Sequence, residues 1–466
     1  MPVDTLHPAY VAHEAKASRV RDAVAGSDAI KARGMTYLPH PQESYSTLSG
    51  EQKEAADERY AAFKARAVWV GVTRRTHDGL LGAVFRREPE VELPSAIDYM
   101  AEDADGSGMS LVQFARGCVS GLLTGGRHGV LVDYPEAADG LTREQTRGLR
   151  ATLRHYTSDN IINWRSDGET LTLVVLREPW AKEVDEFEQD WDWQYRVLRL
   201  EDGRYTQQVY RDGQPAGEKV MPRDARGNAW TVIPFQFLGT TDNNETPDAP
   251  LLLDIADQNL AMYRNSATVE EAAHICGQPV LHIDIGDTST DEWQQLNPAG
   301  ISIGSRQGVQ TRGGGTLNMV QAEERNLPLA LMEQRHADML ALGAKLIERG
   351  GQNETAEGVR ERSGSETANL SSVSGNVSDG IRNCLEWALG FMGGAGDIVF
   401  ELSQDFYPTA ADPQDIVARM QLVDRGLLAD TDLWAWGRKH GLVDPDRTDE
   451  DIRADAQAAG TNIGAL

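Results

Sequence analysis

Seventy-two acidic side chains, ten histidines and three cysteines set the chemistry open to this chain. Asp103-Ala-Asp-Gly-Ser-Gly108 opens as a calcium loop does, with oxygen-bearing residues at the first, third and fifth places and glycine at the sixth. The twelfth place needs a bidentate glutamate and holds Phe114, so a turn ahead of the next helix is the better reading. Thr124-Gly-Gly-Arg-His-Gly129 has the glycine content of a phosphate loop. It lies after a helical pattern and before a strand pattern, the reverse of that motif, and lacks Gly-Lys-Ser, so a helix stop with a tight turn is expected. The histidines form no His-x-x-x-His or His-Glu-x-x-His pair. Ser363-Gly364-Ser365 is a loose relative of a nucleophile elbow without the strand that such an elbow needs. Cys118, Cys276 and Cys384 fit no metal-ligand spacing and cannot all pair, which predicts buried free thiols in a reducing compartment. With so many carboxylates, close pairs arise by chance and assign no glycosidase dyad. Trp164, Trp180, Trp191, Trp193 and Trp230 cluster in a β-rich part and suit core or interface packing better than a sugar cleft. The expectation is therefore a protein that is not an enzyme, with no catalytic residues, metal or cofactor.

The bulk properties agree with a large soluble chain. A length of 466 residues suggests two to four domains, and 40% hydrophobic with 25% charged residues is ordinary for globular proteins. No apolar run approaches the roughly 20 residues that span a bilayer, and Met1-Pro-Val-Asp-Thr-Leu-His-Pro8 has neither the basic start nor the apolar centre of a signal peptide. The net charge of −27 argues against a broad surface that grips nucleic-acid phosphates. It is compatible with a surface past which DNA slides, or with solubility alone.

The elements that would carry any function are organised around residues 250–394. A helix is predicted from Pro250 to Ile275, with Leu251, Ile255, Met262 and Val269 on its apolar face and Asp254, Asp257, Glu270 and Glu271 elsewhere. A second runs from Asn326 to Arg349 on Leu329, Met332, His336, Met339, Gly343 and Leu346. Between them lies a β-rich excursion containing Pro279–Ile285 and Ile301–Ile303 as strands and Arg312-Gly-Gly-Gly-Thr316 as a flexible tip. Gly350 to Ser365 has no apolar period and reads as a loop. A third helix starts near Glu366 on Leu370, Val373, Val377, Ile381, Cys384, Ala388 and Met392. The first half of that helix is rich in poor helix formers: Ser371, Ser372, Ser374, Gly375, Asn376 and Ser378. Small polar residues there would admit another backbone, or a solvated lumen.

The flanking regions are mixed, so the expected fold class is α+β. Residues 1–34 predict a short helix, and a second helix is capped by Ser49 with Gln52 and runs on through Tyr60, Phe63, Ala67 and Val70 to about Gly79. Pro89–Pro94 reads as an edge strand, Ser110 caps a helix ended by Gly125-Gly126, and Gly129–Asp133 is a buried strand. From Ile161 to Val209 the period is two, with hairpin turns at Asp202-Gly203 and Asp212-Gly213. Ile233–Leu238 and Asp397–Leu402 add strands, and the end of the chain holds acidic helices opening at Asp412-Pro413, Thr431 and Thr448.

This order of elements resembles the portal, or head-to-tail connector, proteins of tailed bacteriophages over most of the chain. The strings Ala65–Gly82, Gly126–Pro135 and Asn160–Arg165 look like those of one portal subgroup. The resemblance implies an α/β wing over 1–249, a stem helix at 250–276, a small α/β clip at 277–324 and a second stem helix at 325–349. A tunnel loop at 350–365, a long wing helix with its return strand at 366–411, and a helical crown at 412–466 would follow. It implies a homo-oligomeric ring, about twelve subunits in the usual case, at one capsid vertex of a virion assembled in the host cytoplasm. Double-stranded DNA would pass through its channel during packaging and ejection. The partners would be the major capsid protein, terminase and a head-tail adaptor, with no membrane. Glu354, Glu357, Arg360, Glu361 and Arg362 would line the channel, and Arg312, Gly313, Gly314 and Gly315 would form the docking tip of the clip. Other readings are a head-completion adaptor or another structural virion protein, and an acidic hydrolase built on the β-rich part.

Overall fold

The computed structural model describes residues 2–135, 149–168, 170–183, 187–276, 280–287, 289–298, 316–320, 327–341, 356–404, 406, 419–423, 425, 427–439, 443 and 447–462. Side chains are described for most of these, but not for 276, 280–283, 317–320, 327, 340–341, 356–368, 439 or 456–462, nor for Glu183. The chain divides into two compact units, Met1–Leu402 and Ser403–Leu466.

The first unit mixes helices and antiparallel sheets. Its helices are α1 Pro8–Ala25, α2 Ser27–Ala32, α3 Gly50–Arg66, α4 Val72–Val84, α5 Leu111–Gly125, α6 Leu253–Cys276, α7 Thr290–Leu296, α8 Leu327–Ala341 and α9 Ala356–Phe391. The meander forms a five-stranded sheet: β4 Ile161–Asp167, β5 Thr170–Glu183, β6 Gln189–Glu201, β7 Arg204–Arg211 and β8 Gln214–Val220, each paired with its neighbours in sequence. Asp202 and Asp212 have φ of 50°, and Gly203 and Gly213 have φ of 70° and 72°. Two successive left-handed residues match the right-handed twist of a two-residue hairpin, as the Asp-Gly pairs predict. A three-stranded sheet places β2 Arg127–Asp133 between β3 Thr152–Thr157 and β9 Phe235–Gly239. β1 Glu90–Glu92 pairs with β12 Val399–Glu401, and β10 Val280–Asp284 with β11 Thr316–Val320.

Core clusters among the described residues include two that hold this unit. One lies between the sheets, with Ile161, Trp164, Val174, Leu176, Leu198, Tyr205, Phe235 and Phe237. The other joins helices through Ile30, Tyr37, Tyr60, Phe63, Leu260 and Tyr263. α5 begins on a complete capping box between Ser110 and Gln113 and ends on left-handed Gly126, as expected. A side chain at Gly126 would meet Asp248 O at 2.3 Å, so this glycine also lets the approach to α6 pass close by.

α9 shows why its weak first half is tolerated. Leu370, Val373, Val377, Ile381 and Leu385 are all buried on one side. At roughly 1.5–3 kcal/mol each, they contribute on the order of 10 kcal/mol, against about 3–4 kcal/mol for the serines, glycine and asparagine. Those small residues admit other backbone, as expected. Asn376 Nδ2 donates to Gly239 O at 2.9 Å, and Asn243 Nδ2 donates to Asn376 O at 2.8 Å. Ser378 Oγ accepts from Leu402 N–H at 2.9 Å, and a side chain at Gly380 would meet Leu238 at 2.1 Å.

Several expectations need correction. The helix begun after Ser49 does not run to Gly79: it stops at Arg66, and α4 starts at Val72. Ser49 precedes α3 without a side-chain cap. The excursion between α6 and α8 contains the helix α7, whose Ser289 cap accepts from Glu292 N–H at 3.3 Å. The long helix begins at Ala356, ten residues before Glu366, because Ala356-Glu-Gly-Val-Arg-Glu-Arg362 is mostly strong helix formers despite its lack of an apolar stripe. The expected strand at 301–303 and the start of the helix at 412 lie outside the described residues.

The second unit holds helices α10 Asp430–Lys439 and α11 Asp449–Asn462. Thr448 caps α11: its Oγ1 accepts from Asp451 N–H at 3.2 Å, and Asp451 accepts from Thr448 N–H at 3.3 Å. Arg438 pairs with Asp449, and Arg419 lies 4.7 Å from the Trp436 ring centroid.

Candidate functional site

The stretch that organises the chain is built on α6. Its buried stripe is Leu252, Ile255, Ala256, Asn259, Leu260, Tyr263, Ser266 and Ala267. The expected face through Met262 and Val269 is only half-buried. The difference arises from two polar residues seven apart, Asn259 and Ser266, which face the extended link between α3 and α4. Asn259 Oδ1 accepts from Thr73 N–H and Oγ1 at 3.2 and 3.0 Å, and its Nδ2 donates to Val70 O at 2.8 Å. Ser266 Oγ accepts from Val68 N–H at 3.1 Å, with Val68 O and Tyr263 O both within reach of its own proton. The link has no sheet partner, so these side chains bond its backbone groups instead, alongside the Val72 N–H to Val70 O bond at 2.8 Å. Further ties run from Arg264 to Tyr37 O at 2.8 Å, from Arg19 to Asp257 at 2.8 Å and from Arg66 to Glu271.

α8 returns along α6. Val280 pairs with Val320, which brings the end of α6 and the start of α8 to the same place. Arg335 Nη1 then donates to Gln258 Oε1 at 2.9 Å, so the two helices run antiparallel. The result is a helix pair with a small β–α–β module, β10, α7 and β11, at one end and the helical core at the other.

Of the residues read as functional, Arg312, Gly313, Gly314, Gly315 and Glu354 lie outside the described residues. Glu357, Arg360, Glu361 and Arg362 fall in α9, not in a loop. Leu329, Ala330, Glu333, Gln334 and Ala337 on α8 are exposed.

The structure assembles one constellation that the spacing did not reveal. Ser120 Oγ and His77 Nε2 are 2.9 Å apart, and His77 Nδ1 lies 2.9 Å from Asp78 Oδ1. This is the connectivity of a hydrolase triad, but two features oppose that chemistry. Ser120 sits inside α5, where the following backbone N–H groups are committed to the helix and cannot hold an oxyanion. His77 is only 6% exposed, so a substrate has little access to the imidazole.

The calcium-like loop is closed on itself. Asp103 Oδ1 accepts from Gly108 N–H at 2.8 Å, while Asp105 Oδ1 accepts from Ser107 and Met109 N–H at 2.9 and 3.1 Å. Among the described residues no group of three or more His, Cys, Asp or Glu is placed to hold a metal. Cys118 and Cys384 are free and buried, and burial raises both thiol pKa values above the ordinary range.

Two buried cations or bases escaped the sequence reading. Arg127 is 2% exposed and lies between Trp164 and Phe237, 3.9 and 4.3 Å from their ring centroids. Its Nε and Nη2 have no hydrogen-bond partner. Burial pushes its pKa down to about 9, partly offset by Glu245, so it stays charged at neutral pH. His128 beside it in sequence is wholly buried, with neither ring nitrogen bonded. Burial, aided by the neighbouring His155, drops its pKa to about 3 and keeps it neutral.

A family model described as "Domain of unknown function (DUF4055)" matches residues 250–392, less than half of the chain. That span runs from the approach to α6 to the end of α9. No curated protein matches the sequence. Solved structures similar to the chain include one titled "Virion of native gene transfer agent (GTA) particle", at 13% identity and TM-score 0.40, covering 85% of this chain and 93% of that one. A second, "Neck of empty GTA particle computed with C6 symmetry", has 14% identity and TM-score 0.41, covering 90% and 99%.

Proposed function

We propose that this chain is the subunit of a portal ring, the channel through which double-stranded DNA is packaged into and ejected from a phage-like capsid. The observation that carries the proposal is the antiparallel pair α6–α8, anchored along α6 in a mixed body and enclosing a small β–α–β module, with α9 returning into the same body. The order wing, stem, clip, stem and long wing helix is the portal order. A two-helix stem can bury only one stripe per helix against its own chain, and the exposed side of α8 carries Leu329, Ala330 and Ala337. Neighbouring copies arranged head to tail would cover it, and such contacts close into a ring when the rotation divides the circle. The net charge of −27 suits a conduit that does not hold the phosphates it passes. The clip would meet terminase during packaging and a head-tail adaptor afterwards, and the body would meet the capsid.

Mass photometry and electron micrographs of purified protein test the ring. Cyclic particles near about twelve times 51.1 kDa are expected. A chain that stays monomeric at micromolar concentration, alone and with capsid protein, sinks the proposal. A head-completion adaptor would also form rings, and deletion separates the two: empty heads follow loss of a portal, full heads without tails follow loss of an adaptor.

A further inference from the structure

The β5–β6 ribbon continues past the sheet that bears it. β4 last pairs with β5 at Leu176, and β7 first pairs with β6 at Gln194, whereas β5 and β6 pair on to Glu183 and Gln189. The outer part is a two-stranded arm with no third strand among the described residues, a form that is marginal in water by itself. Residues opposite each other in an antiparallel pair share a face, as do alternate residues along a strand. Trp191 is opposite Ala181, Trp193 opposite Pro179 and Tyr195 opposite Arg177, so one face of the arm carries a row of aromatic rings. Trp191 is 62% exposed and Trp193 44%.

The arm itself shows which cation its rings take. Arg177 lies 4.5 Å from the Trp193 ring centroid, and its Nη2 donates to Asp159 O at 3.0 Å. Arg211 lies 4.4 Å from the Trp180 ring centroid, whereas Lys182 is at 5.8 Å and pairs with Asp192. A planar guanidinium stacks on a ring and is more weakly hydrated than an ammonium. Trp191 has no cation or ring partner among the described residues, although it is the most exposed of the three.

We propose that Trp191 receives an arginine carried by a basic peptide segment of another protein. The occupant follows from charge and from the covered rings. Between Ala181 and Gln194 the chain carries six acidic residues and one basic residue, Lys182, so the exposed ring stands in a negative field. Asp190, next to Trp191, is itself exposed. A second copy of the chain brings a net charge of −27 to this arm, and a nucleic acid brings its phosphates, so both meet like charge. A basic segment gains from the carboxylates and from the ring together. Arginine rather than lysine matches the two rings that are already covered. The contact lies on the arm, away from the α6–α8 pair, and does not depend on how many copies assemble.

A dye-labelled synthetic peptide alternating glycine and arginine tests the site, titrated into the full-length protein and followed by fluorescence anisotropy. The arginine peptide should bind, and a peptide with lysine at every arginine should bind about fivefold more weakly. Trp191→Ala should weaken the arginine peptide by about the same factor, with an unchanged circular dichroism spectrum, and Trp191→Phe should fall between. No binding of the arginine peptide would overturn the proposal. Equal affinity for the two peptides, or equal affinity in Trp191→Ala and the unaltered protein, would reduce the contact to net charge and overturn it as well. So would a Trp191→Cys thiol that resists maleimide in the purified protein and reacts on dilution, which would show that a second copy already covers this place.

Discussion

The carboxamide of Asn259 is bonded twice to Thr73, from its backbone N–H at 3.2 Å and its hydroxyl at 3.0 Å, while the same carboxamide donates to Val70 O at 2.8 Å. One side chain of α6 therefore replaces the sheet partner that the link before α4 lacks. Asn259→Ala should leave the Thr73 N–H buried and unpaired, while the Val70 carbonyl keeps only its bond from Val72 N–H at 2.8 Å. The expected loss is about 1–3 kcal/mol, read as a lower denaturant midpoint. Asn259→Asp keeps an acceptor for Thr73 but loses the donor to Val70 and buries a charge, so it should be no better. A loss within 0.5 kcal/mol, the ordinary range of surface changes, would show that water replaces the amide and that the link is not fixed by it.

His128 gives the fold an acid limit. Its folded pKa of about 3 lies below the ordinary histidine value of 6.5, so the unfolded chain binds the extra proton between those values. Stability contributed by the neutral ring is present above pH 6.5 and declines as pH falls toward 3. By pH 5 the decline from this group is roughly 2 kcal/mol. His13 and His155, also pushed down chiefly by burial, act in the same direction. His128→Leu should flatten the stability profile between pH 6.5 and 5; an unchanged slope would assign the acid limit to other groups.

What the sequence made legible were the features set by local chemistry: the Asp-Gly hairpins, the Ser110 cap, the Gly126 stop and the α9 stripe. What it hid were places where a polar residue serves a distant partner. Asn259 and Ser266 interrupt the apolar stripe of α6, so the periodicity pointed to Met262 and Val269 instead. Their targets at Val68, Val70 and Thr73 are almost 200 positions away in the chain. The same distance hid the break between α3 and α4, since an unbroken helix satisfies local rules equally well. The Ser120–His77 bond and the Arg127 sandwich are likewise tertiary. Helix propensity alone, given its due weight over the missing apolar stripe, would have started α9 near Ala356.

Arg127 separates charge from volume. Its guanidinium is held by two aromatic faces and leaves Nε and Nη2 without hydrogen bonds. Arg127→Ala removes the stem that fills the space between Trp164 and Phe237 and should cost about 2–4 kcal/mol. Arg127→Met fills much of that space without a buried charge and should fall within about 1 kcal/mol of the unaltered protein, or above it. Equal losses in the two variants would show that the cation–π contacts, not packing, hold this part of the sheet.

Arg360 and Arg362 test where the channel runs. Both fall in the first turns of α9. In the proposed portal ring built on α6 and α8 this segment would line the inner wall, where the arginines would meet passing phosphates and Glu357 and Glu361 would weaken the hold. Arg360→Ala with Arg362→Ala should leave ring size unchanged, because the buried residues described on α9, from Leu370 onward, lie beyond both arginines. The variant should alter how much DNA is packaged or retained, and its effect should shrink as salt rises, since screening already weakens phosphate contacts. Normal packaging and retention at low salt would remove these arginines from the channel. A change in ring size would instead make the start of α9 an assembly surface.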